Sequence, residues 1–330
     1  MSSKGRKSNF GGFRFRTKTN AGYVDRKARL SGSQFNETLE VSDEIASALG
    51  SLKHSRIEQT TRWLSTEFQT RASDAANPNA HVHALAEVLD GLKTAAGRDD
   101  IEISTVSHAK TRQRTVKARF AGKSRPAEIV VLGAHLDSLN MVESLEAPGA
   151  DDNASGSAVL LEIYTLLLQQ PQRERTVDFF WYAAEERGLI GSREIARDYA
   201  GSRADVIGVA QFDMTMLPGS GANTIAIATA DDTSAWLTDY FVYLNEQYVK
   251  AKMEFSECPY PCSDHVSWTQ QGYPAAYPME ARWEDTNRAI HTADDRLDPH
   301  LSAPHAALFA KLGVAFALDL SNSTIREPFR

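Results

Sequence analysis

The chain has 330 residues, of which 42% are hydrophobic and 24% are charged. This composition is typical of a globular protein and excludes collagen-like and low-complexity chains. The net charge of -7 is unevenly distributed, because residues 1–30 contain nine Lys or Arg residues and a single acid, Asp25. The rest of the chain is therefore strongly acidic, which argues against nucleic acid as its main partner. The sequence contains no run of about 18 apolar residues, so we predict no membrane-spanning helix.

The N-terminal segment differs in composition from the rest of the chain. Residues 1–35 are rich in Ser, Gly, Lys and Arg and show little hydrophobic periodicity. We interpret them as a basic flexible arm or the remnant of a pro-segment. Their basic residues are not followed by an apolar run of about 7–15 residues, so no signal peptide is visible. Residues 36–330 show no internal repeat or break in composition, and we predict that they form a single domain.

Hydrophobic periodicity predicts helices and strands that alternate along the chain. The predicted helices cover residues 55–72, 80–95, 189–199 and 233–250, and two more begin after Ser155 and at Ser302. The predicted strands cover residues 101–106, 115–120, 129–133, 177–183, 206–212 and 225–229. Alternation of this kind predicts an α/β fold, with a mixed but mostly parallel β-sheet flanked by helices on both faces.

Three predicted strands end in residues of the types that bind metal ions. His135 and Asp137 follow the apolar run VVLGA, Glu185 and Glu186 follow FFWYAA, and Asp213 follows GVAQF. Side chains at the carboxyl ends of neighbouring strands meet at one edge of an open α/β sheet. Taken singly, each has a simpler explanation, since a pair of acids is usually a solvated surface. Their repeated position after apolar strands favours a common site.

Two turns add further candidates for metal ligands. Asp151 and Asp152 lie in PGADDNASG before a predicted helix, and His291 lies in RAIHTADD before the last helix. An Asp pair before a helix is often only a cap, and a lone His is more often structural. Combined with the residues at the strand ends, however, they form a set of imidazole and carboxylate ligands that suits zinc.

A site with two metal ions would need one carboxylate that is shared and another that binds neither ion. Two ions clamp both oxygens of a hydrolytic displacement and lower the pKa of the water between them. The free carboxylate takes the proton of that water. Adjacent Glu185 and Glu186 can supply one ligand and one base. Asp137 can accept a hydrogen bond from the second ring nitrogen of His135.

Six motifs occur in the order found in one enzyme family: HLDS, PGADDNASG, AAEERGLIGS, QFDMT, CPYPCSDHVSW and RAIHT. Over about residues 100–320 the chain resembles the M28 metallopeptidases, in particular the bacterial leucyl aminopeptidases. The resemblance implies the zinc aminopeptidase fold, which is phosphorylase/hydrolase-like, and makes residues 36–330 a single α/β metallopeptidase catalytic domain. It implies hydrolysis of the N-terminal peptide bond of peptides whose first residue is bulky and hydrophobic.

The resemblance also implies two bound Zn²⁺ ions with named ligands. His135 and Asp213 would bind one zinc ion, and Glu186 and His291 would bind the other. Asp152 would bridge the two.

Further roles follow from the same resemblance. Glu185 matches the general base that activates the metal-bridging water, and Asp137 matches the carboxylate that orients His135. The family has a cis peptide bond after its bridging Asp, so the bond between Asp152 and Asn153 is expected to be cis.

A hydrophobic substrate pocket beside the metal site is also implied by the resemblance. The residues that match its lining are Met214, Ile227, Tyr260, Tyr277, Met279, Trp283 and Ile290. Cys258 and Cys262 match the cysteines of a small disulfide loop next to the pocket. From the residues alone, two free thiols and a metal site with Asp264 and His265 are the alternatives.

The sequence also leads to expectations about the location, partners and alternative functions of the protein. By resemblance the protein would be secreted or periplasmic, although no signal peptide is visible. We predict a monomer that acts on peptides with a free N-terminus. The alternatives are a glutaminyl-cyclase-like enzyme with one zinc ion, and a non-catalytic binding domain on the same fold. The presence of both His135 and Asp213 argues against the first, and the intact set of ligands and base argues against the second.

Overall fold

The computed structural model describes residues 42–141, 146–229 and 232–326, so the predicted basic arm lies outside the described residues. The helices are α1 (Asp43–Gly50), α2 (His54–Thr66), α3 (Ala80–Ala95), α4 (Gly156–Leu167), α5 (Ile190–Gly201), α6 (Ala235–Leu244), α7 (His265–Thr269) and α8 (Ala303–Asn322). The strands are β1 (Ile101–Val106), β2 (Thr115–Phe120), β3 (Arg125–His135), β4 (Arg175–Tyr182), β5 (Asp205–Gln211), β6 (Thr224–Ala228), β7 (Lys252–Ser256), β8 (Ala275–Ala276) and β9 (Pro278–Met279).

The central sheet has six strands in the order β1-β2-β4-β3-β5-β8. β2 is antiparallel to both of its neighbours, whereas β4, β3, β5 and β8 are mutually parallel. Strand β4 is buried along its whole length, as expected for a strand covered on both faces. The predicted mixed and mostly parallel sheet with flanking helices is therefore present.

The carboxyl ends of β3, β4 and β5 lie side by side in this sheet. His135 at the end of β3 is in register with Tyr182 of β4, and Gly133 is in register with Gln211 of β5. Because the three strands are parallel, the segments that follow them leave the sheet at the same edge. This edge therefore collects the residues that the sequence places after each strand.

Helix α2 is shorter than the helix predicted over residues 55–72. It ends at Thr66, because the chain turns into an isolated β-bridge at Thr70. Arg71 then reaches back, and its Nη1 donates to the carbonyl of Leu64 at 3.0 Å. The guanidinium thus satisfies one of the carbonyls that the end of a helix leaves without a partner.

The segment after β3 contains the most irregular backbone near the sheet edge. Helix α4 begins after Ser155 as predicted, but an irregular turn, Ala150–Ser155, precedes it. Within that turn Asp152 and Asn153 leave helical geometry. The peptide bond between them is cis, as the family resemblance implies.

The region between β6 and α8 was predicted least well. The helix predicted over 233–250 ends at Leu244 and continues as a π-helical turn, Asn245–Val249. Strands β8 and β9 have two residues each, too short for periodicity to identify, and β7 and helix α7, with five residues each, were also not predicted. A second sheet in the order β7-β6-β9 was consequently not expected.

Helix α8 is, among the described residues, the one helix long and apolar enough to cross a membrane, with a mean hydropathy of 1.3. The sequence predicts a helix from Ser302 but no membrane span, because Lys311 and Asp319 interrupt the apolar run. Within the fold, 83% of this window is buried, as is usual for a core helix of a soluble protein. Its N-cap is Ser302, whose hydroxyl accepts a hydrogen bond from the N–H of His305.

Candidate metal centre

Two groups of histidine and carboxylate side chains meet at the carboxyl edge of the central sheet. In the first, Nε2 of His135 lies 3.0 Å from Oδ1 of Asp152 and 3.2 Å from Oδ1 of Asp213. In the second, Nε2 of His291 lies 3.1 Å from Oδ2 of Asp152 and 3.0 Å from Oε2 of Glu186. Within each group the three ligand atoms lie within 4.8 Å of one another. Asp152 belongs to both groups and presents one oxygen to each.

The residues of these groups fit a pair of cations. His135, Asp152 and Asp213 are buried, and Oε1 of Glu186 is buried without a hydrogen-bond partner in the described part of the chain. A buried carboxylate oxygen with no partner is costly unless a cation or a proton binds it. The imidazole and carboxylate donors are those that zinc prefers, and the shared carboxylate is what two neighbouring ions require.

Distance alone does not separate the roles of Glu185 and Glu186. Both side chains lie within 4.8 Å of His135 and of each other in a third possible ligand group. The contact with His291 distinguishes them, because Glu186 approaches that ring at 3.0 Å and joins the group that contains Asp152. Glu185 belongs only to the group that contains His135 and Glu186. The ring of His135 already faces two other carboxylates.

Asp137 holds the turn that carries both glutamates. Its Oδ1 accepts the backbone N–H of Glu185 at 3.0 Å, and its Oδ2 accepts that of Glu186 at 3.3 Å. Nδ1 of His135 lies 3.4 Å from the same Oδ1 and 3.2 Å from the backbone carbonyl of Asp137. One buried carboxylate therefore links the strand that ends in His135 to the glutamate turn.

Gln113 supports the same turn and was missed in the sequence. Its side chain is fully buried, and its Oε1 accepts the N–H of Ala184 at 2.8 Å. Ala184 has a φ of 53°, an uncommon backbone geometry for a residue with a side chain. Nε2 of Gln113 donates to the carbonyl of Arg71 at 3.0 Å and lies 2.9 Å from Nε2 of His81. Burial lowers the pKa of His81 to about 3, so the ring is neutral and one of its nitrogens can accept a hydrogen bond.

Burial and neighbouring charges shift the pKa values of the site. Burial raises the pKa of Glu185 well above its usual range, while the charge of His135 opposes this shift and that of Glu186 adds to it. Burial and the charge of Asp152 raise the pKa of Glu186 to about 7. Burial disfavours the charged form of His291, yet its hydrogen bonds to Asp152 and Glu186 raise its pKa to about 10. The cluster therefore retains protons where cations would bind.

Asp151 is not in either ligand group and instead fixes the loops beneath them. Its Oδ1 accepts the N–H of Met216 at 3.1 Å, and its Oδ2 accepts Nδ2 of Asn287 at 3.0 Å. Glu280 accepts the N–H groups of Leu217 at 2.7 Å and of Asn287 at 3.1 Å. Burial raises the pKa values of both Asp151 and Glu280, which share a hydrogen bond. The sequence offered no signal for Glu280, since nothing in PMEAR marks a buried acid.

Cys258 and Cys262 form a disulfide, as the family resemblance implies. The bond excludes two free thiols and a metal site built on these cysteines. The next residue, Ser263, donates from Oγ to Oδ2 of Asp213 at 2.6 Å. Oδ2 of Asp264 accepts Nε2 of Gln211 instead of joining a ligand group. The disulfide loop thus leads directly to one candidate ligand.

Several predicted pocket residues lie together around this loop. Tyr277 and Met279 are buried in a small cluster with the two cysteines and Trp283. The hydroxyl of Tyr277 donates to the carbonyl of Asp213 at 3.1 Å. Tyr260 is half exposed, and its ring packs edge-on against Trp283 with 5.3 Å between centroids.

The remaining pocket candidates are placed differently. Met214 directly follows Asp213 and donates its N–H to Oδ1 of Asn153 at 3.2 Å. Ile290 is partly buried beside the ligand candidate that follows it. Ile227 is fully buried in β6 and has no exposed surface.

Burial raises the pKa of Tyr260 to about 12, and the carboxylates of the candidate site add to the shift.

Comparison with known proteins places this site in a family. Leucine aminopeptidase 1 of Neurospora crassa is 35% identical over 270 residues, which cover 78% of this chain and 66% of that protein. The structure of the LapA aminopeptidase of Legionella pneumophila is similar with a TM-score of 0.82 and 29% identity, covering 96% of this chain and 81% of that one. A glutaminyl cyclase from an Acidobacteriales bacterium, at 17% identity and a TM-score of 0.61, covers 80% of this chain and 93% of its own and shares the fold alone.

The match covers 66% of the length of the Neurospora crassa protein and 59% of that of a probable leucine aminopeptidase of Arthroderma otae. Residues 115–316 match the model of peptidase family M28. That segment contains both histidine–carboxylate groups, the glutamate turn and the disulfide loop. Its ligand candidates converge on one site, as the six sequence motifs had implied. We conclude that the chain belongs to peptidase family M28.

Proposed function

We propose that the protein is a two-zinc aminopeptidase that releases the first residue of peptides with a free N-terminus. The observation that carries the proposal is the position of Asp152, whose two oxygens face His135 and His291 separately. The relatives support the reaction class, because they include a leucine aminopeptidase and the LapA aminopeptidase.

The chain offers a complete ligand set for the two ions. His135 and Asp213 would hold one ion, Glu186 and His291 would hold the other, and Asp152 would contact both. When bound, the two zinc ions supply Lewis acidity and lower the pKa of a water molecule held between them. The partnerless oxygen of Glu186 is consistent with a cation at the second position.

Glu185 is assigned the role of general base. Its carboxylate accepts the proton of the water that attacks the scissile carbonyl and returns that proton to the leaving amine. Burial raises its pKa, which favours this uptake. Oδ1 of Asp137 accepts the backbone N–H of Glu185 at 3.0 Å and thereby fixes the position of the backbone that carries the base.

The acidic character of the site suits a substrate with a free α-ammonium group. Asp152, Glu185, Glu186 and Asp213 bring four carboxylates to one place, and two divalent ions would balance their charge. The amine of the first residue would bind there either as a charged ammonium group or, after losing its proton, as a neutral ligand of a zinc ion. Cleavage then occurs one residue from the N-terminus, which defines an aminopeptidase.

A bulky apolar first side chain fits the surface beside the disulfide loop. Tyr277, Met279 and Trp283 pack there with the two cysteines, and the half-exposed ring of Tyr260 adds an aromatic surface. Burying a Leu or Phe side chain against such a surface contributes about 1.5–3 kcal/mol. We therefore infer a preference for Leu, Phe or Met as the first residue.

The location of the protein remains a prediction. The Cys258–Cys262 bond supports an oxidising compartment, in agreement with a secreted or periplasmic protein. The monomeric state and the role of residues 1–35 also remain predictions.

The proposal is tested with a Leu-first peptide, its N-acetylated form and a Gln-first peptide. We expect stepwise release of residues from the free peptide and no reaction of the acetylated one. A chelator should abolish the release, and added zinc should restore it. Equal cleavage of the free and acetylated peptides would show an endopeptidase. Loss of ammonia from the Gln-first peptide without release of free Gln would show a cyclase.

A further inference from the structure

Arg71 is a fully buried arginine next to the metal centre. Its guanidinium donates to four backbone carbonyls. Nε reaches Leu136 at 3.0 Å, Nη1 reaches Leu64 at 3.0 Å and Pro148 at 2.6 Å, and Nη2 reaches Gly149 at 2.8 Å. A planar guanidinium holds several acceptors in a fixed arrangement, which the single ammonium of a lysine does not reproduce.

Three of these acceptors belong to segments that carry the candidate ligands. Leu136 directly follows His135, and the other two directly precede the turn that carries Asp152. Gly149 has a φ of 50°, and a Cβ at this position would lie 2.4 Å from the carbonyl oxygen of Asp152, 2.6 Å from Cβ of Ser138 and 3.0 Å from Nη2 of Arg71. A glycine here therefore lets the turn pack closely against its own backbone, Ser138 and the guanidinium.

The backbone of Arg71 contacts the same region. Its N–H donates to Oγ of Ser138 at 3.1 Å, and its carbonyl accepts Nε2 of Gln113 at 3.0 Å. Gln113 in turn accepts the N–H of Ala184, the residue before Glu185. Arg71, five residues beyond the end of helix α2, is thus connected to three of the segments that carry the site, namely the end of β3, the Ala150–Ser155 turn and the glutamate turn.

Arg71 also brings a positive charge to an acidic site. Burial lowers its pKa to about 10, and the carboxylates of Asp295, Asp137, Asp152 and Glu186 oppose this shift. The guanidinium is therefore protonated at neutral pH. It balances part of the negative charge that the site must hold when the protein folds without metal ions.

We propose that Arg71 is a positioning residue that fixes His135 relative to Asp152 and thereby sets the zinc affinity of the site. The proposal rests on the proposed zinc centre but not on the peptidase reaction. A residue that orients metal ligands without binding the metal typically changes metal affinity by about 10–100-fold when it is altered.

The test compares Arg71→Lys with a matched control, Arg175→Lys. Arg175 is likewise fully buried, donates to the carbonyls of Leu320 and Ile325, and in addition forms an ion pair with Glu128. It is the first residue of β4, whereas the metal centre lies at the carboxyl ends of the strands. Both substitutions keep the charge and remove the fork of donors, so both should lower the melting temperature of the metal-free protein.

Zinc affinity separates the two variants. With a competing chromophoric chelator, we expect Arg71→Lys to bind at least one zinc ion about tenfold more weakly than the native chain. Arg175→Lys should stay within roughly twofold of the native affinity. Native zinc affinity in Arg71→Lys would overturn the proposal, whatever its melting temperature.

A milder variant keeps the proposal testable if metal-free Arg71→Lys does not fold. Ser138→Ala removes a hydroxyl group that accepts a hydrogen bond from the backbone N–H of Arg71. The same hydroxyl donates to the carbonyl of Ala147 at 2.7 Å. We expect a smaller loss of zinc affinity in the same direction, and native affinity would again reject the proposal. If the native chain binds two zinc ions but cleaves no peptide, the proposed function fails while this test still decides the role of Arg71.

Discussion

Asp152 is the residue on which both halves of the metal centre depend. One of its oxygens faces His135 and the other faces His291, at 3.0 and 3.1 Å. Its backbone N–H donates at 3.0 Å to Oδ2 of Asp295, whose Oδ1 accepts the N–H of Asp151 at 2.9 Å. The orientation of the shared carboxylate is therefore set by a second carboxylate behind it.

The two adjacent glutamates should differ in what their removal does. Glu185→Gln should keep both zinc ions and lower kcat about a thousandfold, because an amide cannot accept the proton of the attacking water. Glu186→Gln should lose one zinc ion, because Glu186 faces His291 at 3.0 Å. Metal content after dialysis and the rate with Leu-p-nitroanilide are the measurements. Glu58→Gln, at an exposed position of helix α2, is the control and should match the native chain in both.

The reverse result would exchange the two assignments. A chain with Glu185→Gln that lacks one zinc ion, alongside an inactive Glu186→Gln chain that holds two, would make Glu186 the base.

At the scale of elements, the disulfide loop joins the proposed substrate surface to the candidate metal centre. Cys258 and Cys262 pack with Trp283, and Ser263 donates to Asp213 at 2.6 Å. The loop is thus placed to influence both recognition of the first residue and the position of a ligand.

Replacing both cysteines with serine should change specificity more than stability. The cysteines are four positions apart, so the bond restricts the unfolded chain little and contributes about 2 kcal/mol by chain entropy. We expect the melting temperature to fall by a few degrees. The ratio of kcat/KM for Leu-first over Ala-first peptides should fall about threefold or more, because the apolar surface loses its support. An unfolded chain, or an unchanged ratio, would contradict this account.

The sequence was most informative where a pattern is local. Strands β1 and β2 and helix α3 have the predicted bounds, because their apolar residues recur at a clear period. His135, Asp152 and Asp213 were predicted as ligands because short motifs place them after strands or before a helix. The structure brings these three side chains together within one group.

Residues that act through distant backbone groups left no such pattern. Arg71 and Gln113 lie in polar stretches and would normally be solvated. Their acceptors and donors, at Leu136, Gly149 and Ala184, come from later segments of the chain. Their contacts exist only once the end of α2 meets the edge of the sheet, so no reading of local sequence finds them.

At the scale of the molecule, the site without metal ions keeps protons on side chains that would bind those ions. The pKa of His291 is raised to about 10 and that of Glu186 to about 7. A raised pKa of His291 stabilises the metal-free fold below its ordinary value of 6.5, and this contribution is lost as the pH rises through about 10. In the proposed zinc centre, the ions would displace these protons as they bind.

Zinc affinity should therefore increase as the pH is raised from about 6 to about 8, with net release of protons. Calorimetric titrations in buffers of different ionisation enthalpy measure this release directly. His291→Ala should release fewer protons and bind one zinc ion weakly. An affinity independent of pH would show that the ligands are already deprotonated in the metal-free protein.

The ligands come from strand ends and turns that are distributed over nearly half of the chain, and His291 is the last of them to be synthesised. Pairing of β3 with both β4 and β5 joins segments that are far apart in sequence, and contacts of this kind form late in folding. A partly folded chain therefore contains no complete site. Under the proposed function, hydrolysis of peptides would then be restricted to molecules that have finished folding.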